Sequence, residues 1–188
     1  MGLFVFIAIF VIILVWGVIV RNNIVRYFNA TKRSWSEVAN FERQKVKTLE
    51  ALEVTLQEYT QFEKSTLENV TELRRQILNL NINDTDISQL QLIEKLNKEL
   101  IKNLNVVVEN YPELKADKLY SKMMDDIQEQ NENVGAAITI FNRNVELFNN
   151  NIQIFPNNLV NTMTLSKKPI RPFSDNITNK NFDYRPNF

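Results

Sequence analysis

The 188-residue chain carries 22 basic and 22 acidic residues, is 44% hydrophobic, and contains neither cysteine nor histidine. Balanced charge argues against binding a phosphate backbone, so we expect no nucleic-acid partner. The missing cysteine and histidine exclude disulfides, thiolate chemistry, Cys/His zinc sites and Ser-His triads, and the three glycines form no phosphate-cradling loop. We therefore predict a non-enzymatic protein without a cofactor or a metal site.

The first twenty residues are uncharged and strongly apolar. At about 1.5 Å per residue a helix of this length spans about 30 Å, the thickness of the hydrocarbon core of a bilayer. No basic residue precedes Leu3, and residues 15–18 (VWGV) do not resemble a cleavage site, which favours a retained anchor over a cleaved signal peptide. We predict that residues 1–20 cross a lipid bilayer once.

Basic residues follow this segment directly. Arg21, Arg26, Lys32 and Arg33 all come before the first acidic residue, Glu37. Because positively charged flanks stay in the cytoplasm, the pattern predicts an outside N-terminus and a cytoplasmic body.

One long amphipathic helix is predicted from Trp35 to Leu80. No glycine or proline interrupts residues 19–80, so we expect the membrane helix to continue into it, and the polar cluster at residues 79–84 ends the pattern. Its core side chains recur in heptad spacing at two positions: Leu49, Leu56, Glu63, Val70 and Ile77, and three residues later Leu52, Tyr59, Thr66, Leu73 and Leu80.

A second helix is predicted between Asp86, a suitable N-cap, and Tyr111-Pro112, where proline disfavours helix at the preceding residue. Its apolar residues are spaced by three and four along the chain: Leu90, Ile93, Leu96, Leu100, Leu104 and Val107.

The third predicted helix starts near Asp117 and ends at Pro156. It has the strongest periodicity of the chain, with one stripe stepping by seven and a second between its members: Tyr120, Ile127, Val134, Phe141, Phe148 and Phe155; then Met124, Asn131, Ile138, Val145 and Ile152. We interpret the aromatic stripe as core.

These elements predict an all-α fold in which an N-terminal transmembrane helix continues into a long antiparallel, coiled-coil-like bundle. Three helices with one apolar stripe each would pack up-down-up over residues 21–162. Residues 163–188 are polar, contain three prolines and are predicted to form a flexible tail.

Several segments resemble the bacterial LemA family. Ser34-Trp35 and Glu58-Tyr59 fall at the separation of the family's Ala-Trp and Gly-Tyr dipeptides. Residues 109–116 (ENYPELKA) resemble its Glu-x-Tyr-Pro-x-Leu-Lys-Ala segment, and residues 141–158 resemble its repeated aromatic-Asn pattern followed by Phe-Pro-x-Asn. The resemblance implies a helical bundle anchored in the bacterial cell membrane and implies no reaction.

The chain departs from the family pattern in the first long helix. Where members show Ile-Asp-Val-Gln-Leu, two arginines and Ile-Pro-Asn-Leu-Val, residues 38–42 read VANFE, residues 44–45 read QK and residues 49–53 read LEALE. A role of the family's acidic-basic pair or of its proline is therefore not carried over to this chain.

Asn142 and Asn149 each follow an aromatic heptad position. They are candidate contacts to a ligand or partner; the alternative is that they flank the core and fix helix register through hydrogen bonds.

The predicted first helix, from Arg21 to Leu80, would be about 90 Å long and would outrun the other two. Its uncovered part would carry Trp35, Val38 and Phe41, which we therefore predict as an interface for self-association, giving a homo-oligomer.

The leading functional hypothesis is a membrane-anchored scaffold or interaction protein whose protein partner the sequence does not name. The alternative is a sensor or accessory regulator, in which an extracytoplasmic bundle binds a ligand and modulates a neighbouring membrane protein.

Overall fold

A computed structural model describes residues 1–58 and 64–174, which are mostly helical and contain no strand, so the predicted all-α fold is confirmed for this part of the chain. The helices are, in order, α1 (Gly2–Glu58), α2 (Lys64–Asn79), α3 (Ile87–Asn110), α4 (Pro112–Ala116), α5 (Lys118–Gln153) and α6 (Asn157–Thr164).

The described chain forms two compact units. The first contains Met1–Ser34 and Ile140–Pro172, and the second contains Trp35–Thr139 together with Phe173 and Ser174. Helices α1 and α5 contribute residues to both units. As predicted, the apolar segment continues without a break into the amphipathic part of α1.

In the first unit, α5 runs antiparallel to α1. Val20 and Ile24 of α1 form a buried apolar cluster with Phe148 and Ile152 of α5. Further along α1, the Thr31 hydroxyl donates to the Asn144 carbonyl at 3.1 Å. Residues later in α1 thus lie beside residues earlier in α5.

The second unit corrects the predicted long helix from Trp35 to Leu80. Helix α1 ends at Glu58, and α2 returns alongside it. Trp35 Nε1 donates to the carbonyl of Asn81 at 2.8 Å, whereas Arg74 pairs with Glu53. The heptad positions Tyr59 and Glu63 lie outside the described residues. A heptad pattern is the same for a straight helix and for two antiparallel helices facing one core, so it did not reveal the reversal.

Among the described residues, five helical segments build this unit where three helices were predicted for the whole bundle: residues 35–58 of α1, α2, α3, the short α4 and residues 118–139 of α5. As predicted, Asp86 caps α3, accepting from the backbone N–H of Gln89 at 2.9 Å, and α3 ends before Tyr111-Pro112. The predicted core residues in the described heptads are buried: Leu49, Leu52, Leu56, Thr66, Val70, Leu73, Ile77 and Leu80.

The C-terminal region of the structure differs from the prediction in two places. Helix α5 ends at Gln153, so Phe155 lies in a turn and is 77% exposed instead of continuing the core stripe. Met163, the first residue of the predicted tail, belongs to α6, and beyond this helix Ile170 and Ser174 accept hydrogen bonds from Asn149 and Gln91. Residues 175–188 lie outside the described part.

Candidate functional site

An exposed apolar segment occupies the N-terminal part of α1. Its side chains, from Leu3 to Ile19, are mostly more than half exposed. Among the described residues this is the one helix long and apolar enough to cross a membrane. Because every interior residue of a helix bonds its backbone within the helix, such a segment can leave water without exposing unpaired polar groups.

Cations and aromatic rings are paired just after this segment. Lys167 Nζ lies 3.9 Å from the ring centroid of Phe28, and Lys32 Nζ lies 5.5 Å from the same ring. The guanidinium of Arg26 lies 5.6 Å from the ring centroid of Tyr27. Such contacts hold cations near an apolar surface.

Two asparagine side chains hold the segment after α6. Asn149 Nδ2 donates to the Ile170 carbonyl at 2.8 Å, and its Oδ1 accepts from the Ile170 N–H at 2.9 Å. Asn161 makes the same paired contact with the backbone of Lys167, at 2.9 and 3.0 Å. Each amide thus satisfies both polar groups of one backbone residue, which fixes the path of the chain.

A buried polar network lies inside the second unit. Lys45 Nζ lies 2.9 Å from Glu42 Oε2, and both side chains are fully buried. Lys45 also donates to Asn131 Oδ1 at 3.0 Å, and Asn97 Nδ2 donates to the same oxygen at 3.1 Å. The network therefore joins α1, α3 and α5 through one shared acceptor.

The network is incompletely satisfied. Glu42 Oε1 and Asn97 Oδ1 are buried and accept no hydrogen bond from any described residue. Burial raises the pKa of Glu42 above its usual value of 4.5; the ammonium of Lys45 opposes this shift, and the nearby Glu94 adds to it. Desolvation of the carboxylate thus outweighs its attraction to Lys45.

The sequence-predicted interface residues lie in the interior or at its margin. Trp35 and Val38 are buried, and Phe41 is partly buried. The chain covers α1 at this point, because Trp35 Nε1 donates to the carbonyl of Asn81, just after the end of α2. Self-association itself stays a prediction.

The two candidate asparagines are both partly buried on α5. Asn149 holds the backbone of Ile170, a contact that neither interpretation predicted, so its role in binding and its role in helix register both stay predictions. A role of Asn142 in binding a ligand or partner stays a prediction.

The polar network was missed by the sequence reasoning, although a signal existed. Extending the heptads of α1 backwards from Leu49 and Leu52 places Lys45 and Glu42 on core positions between those leucines and Val38. In α3 the prediction placed Leu96 in the core, but the buried residue is Asn97. Charged or amide residues at core heptad positions were the available clue.

Comparison with known proteins gives two matches. The model of the LemA family matches residues 34–181. "Protein LemA" of Metamycoplasma hominis is 29% identical over 122 residues, which make up 65% of this chain and 54% of that protein. The chain thus spans about half the length of this curated relative.

Proposed function

The chain belongs to the LemA family, and from this premise and the geometry above we propose that it is a non-enzymatic scaffold or interaction protein anchored in the bacterial cell membrane. The exposed apolar segment of α1 carries the proposal. Removing a large apolar side chain from water contributes about 1.5 to 3 kcal/mol, so a row of exposed side chains from Leu3 to Ile19 strongly favours a lipid environment.

Extraction of membranes at alkaline pH tests the anchor. We expect the full chain to remain in the membrane fraction. Changing Ile9 and Ile13 to Asp should release it, because a carboxylate at the centre of a span costs about 2.5 to 3.5 kcal/mol. Val54→Asp is the matched control, because Val54 is an equally exposed apolar residue of the same helix beyond the span. An extractable unmodified chain would refute the anchor.

Sidedness separates the scaffold hypothesis from the sensor alternative. The chain has no cysteine, so a single introduced cysteine reports its own accessibility. The exposed Ser121→Cys in α5 should react with a membrane-impermeant maleimide only after the membrane is opened, whereas Gly2→Cys should react in sealed cells. Labelling of Ser121→Cys in sealed cells would place the bundle outside and favour the sensor hypothesis.

The proposal includes self-association, through a surface other than Trp35 and Val38. Both are buried, and the apolar segment of α1 is the large exposed apolar surface nearest to them along the chain. Packing between spans of two copies is a common basis for such association.

A further inference from the structure

Four large apolar side chains are exposed where α5 turns into α6. Ile154 and Leu159 are about half exposed, Phe155 is 77% exposed and Met163 is 84% exposed. We call these four residues the turn patch. Apolar groups clustered in this way are more often a contact surface than a solvated one.

Packing places the turn patch beside the end of the apolar segment. Val20 is the last residue of that segment, and it belongs to the buried cluster that contains Ile152. Val160 and Leu165, from α6 and the residue after it, pack against the same cluster. If α1 crosses a bilayer up to Val20, these contacts bring the turn patch to the depth of the bilayer surface.

The direction of α5 also supports a position of the turn patch at the bilayer surface. Phe148 contacts Phe28 with ring centroids 5.5 Å apart, and Asn144 lies at Thr31. Moving from Asn144 towards Ile152, α5 therefore approaches the apolar segment. The C-terminal end of α5, together with the turn that follows it, is then nearest to the bilayer.

The distribution of charge in α6 and in the residues after it is typical of a helix that lies at a membrane surface. Helix α6 itself has no charged residue. Lys167, Lys168 and Arg171 follow it, and the Asn149 and Asn161 contacts hold this basic segment within the same unit. Basic residues next to exposed apolar ones suit a surface of anionic lipid, where each contributes through attraction to the headgroups.

We propose that the turn patch inserts into the surface of the bilayer that α1 spans, with Lys167, Lys168 and Arg171 on anionic headgroups. The inference rests on the anchor proposed above. The chain thereby has two membrane contacts: the span, and an uncharged α5–α6 turn that lies in the interface. The occupant of the patch is lipid, and a second copy of the chain is the rival occupant.

Depth-dependent quenching tests the proposal on the full chain in vesicles of mixed neutral and anionic lipid. Single cysteines carry an environment-sensitive fluorophore, and lipids with a spin label near the headgroup are the quencher. Met163→Cys and Ile154→Cys report the patch. Ile140→Cys is the matched control, because it is 51% exposed against 54% for Ile154 but precedes Ile152 on α5 by more than three turns, about 18 Å.

We expect blue-shifted, lipid-quenched emission from the labels at positions 154 and 163 and neither effect at position 140. A label at Ile13→Cys, inside the span, separates the two proposals. Quenching at position 13 by deep spin labels, without quenching at 154 and 163, leaves the anchor intact and refutes the interfacial patch. Absence of quenching at position 13 by deep spin labels would refute the membrane anchor itself.

Two further outcomes decide the occupant. Energy transfer between copies labelled at position 163, without lipid quenching, would assign the patch to a second copy and overturn the proposal. Equal lipid quenching at positions 140 and 163 would show no preferred depth and would also overturn it. Weaker patch quenching in purely neutral vesicles would support the role of the basic segment.

Discussion

Glu42 and Lys45 form an ion pair at two core positions of α1, with no exposure to solvent. Moving two charges out of water costs several kcal/mol each, and their attraction seldom exceeds this cost. The raised pKa of Glu42 agrees with that balance. We infer that the pair adds little net stability and instead fixes which faces of α1, α3 and α5 meet, because Lys45 and Asn97 converge on Asn131.

A double-mutant cycle tests this balance. Glu42→Leu leaves the Lys45 ammonium buried without its counter-charge, and Lys45→Met leaves the Glu42 carboxylate buried without its own. We therefore expect each single change to lower the free energy of unfolding by about 3 to 5 kcal/mol at neutral pH. The double variant should recover most of this loss, because it buries apolar groups of similar size. Urea unfolding of the full chain in detergent measures the four free energies. Additive losses in the double variant would contradict the expected coupling.

The pH dependence of stability should show the raised pKa of Glu42. The folded protein binds the Glu42 proton more tightly than the unfolded chain, so this contribution is fully present below about pH 4.5 and is lost as pH rises through the folded pKa. The melting temperature of the unmodified protein should therefore fall relative to that of Glu42→Gln as pH rises above about 4.5.

Glu72→Gln is a control, because the effect of Glu72 on the pH dependence of stability should have the opposite sign. Hydrogen bonds from Arg75 and Gln76 lower the pKa of the exposed Glu72 to about 2. Its contribution is present above about pH 4.5 and is lost as pH falls towards 2, and solvent screening keeps it small. If both variants shifted in the same direction relative to the unmodified protein, the assignment of Glu42 would be wrong.

Among the helices, α5 shows most clearly where the periodic pattern holds and where it fails. Phe141 and Phe148 are buried as predicted, whereas Phe155, seven residues further on, is not. The step of seven describes a core only while the helix lasts, and α5 ends at Gln153, before Pro156. The heptad pattern did not show that the helix stops before its last aromatic residue.

Phe148 and Phe155 make a matched pair for measurement. Phe148→Ala should lower the free energy of unfolding by about 3 to 5 kcal/mol, because the ring fills the cluster formed by Val20, Ile24 and Ile152. In detergent, Phe155→Ala should change it by less than about 0.5 kcal/mol, as expected for an exposed side chain. Equal losses from the two changes would contradict the register given for α5.

The helical reversal between α1 and α2 marks a second limit of sequence reasoning. Leu56 and Val70 were placed correctly in a core, but on one continuous helix. The contacts that separate the two arrangements, Trp35 with Asn81 and Arg74 with Glu53, join residues distant in sequence. No glycine or proline marks the reversal, so composition gave no turn signal.

The segment after α6 was predicted to be flexible for a similar reason. Its polar composition matches a tail, and the residue that holds Ile170 is Asn149, on a different element. Sequence patterns report local periodicity, whereas the path of this segment also depends on contacts with distant amide side chains, those of Asn149 and Gln91.

Hydrogen exchange at the backbone N–H of Ile170 measures how firmly the segment after α6 is held. Asn149→Ala removes two hydrogen bonds, each worth about 0.5 to 1.5 kcal/mol, so exchange at Ile170 should become about tenfold faster or more. The neighbouring exposed Asn150→Ala is the control and should leave the exchange rate unchanged. If Asn149→Ala also had no effect, packing of Ile170 and the Asn161 contacts with Lys167 would be enough to hold the segment.

For the whole molecule, the question is which surface joins copies. Trp35 and Val38 are already covered by the chain's own helices, so the described bundle offers no large uncovered aromatic group there. We predict that the full chain self-associates in detergent and that a variant lacking residues 1–20 is monomeric. Mass measurement over a range of concentrations checks both forms. A truncated variant that kept the oligomeric mass would move the interface to the bundle.

The pairing of α1 with α5 also sets an order of events during synthesis. Thr31 and the residue whose carbonyl it binds, Asn144, are 113 positions apart. At about 5 to 20 residues per second, the ribosome needs roughly 6 to 23 s to make the second partner after the first. During that interval Ile24 and Phe28 have already been made, whereas the residues that will cover them have not. The nascent chain therefore carries, for several seconds, an apolar stretch directly after its first hydrophobic segment that the chain's own later residues do not yet cover.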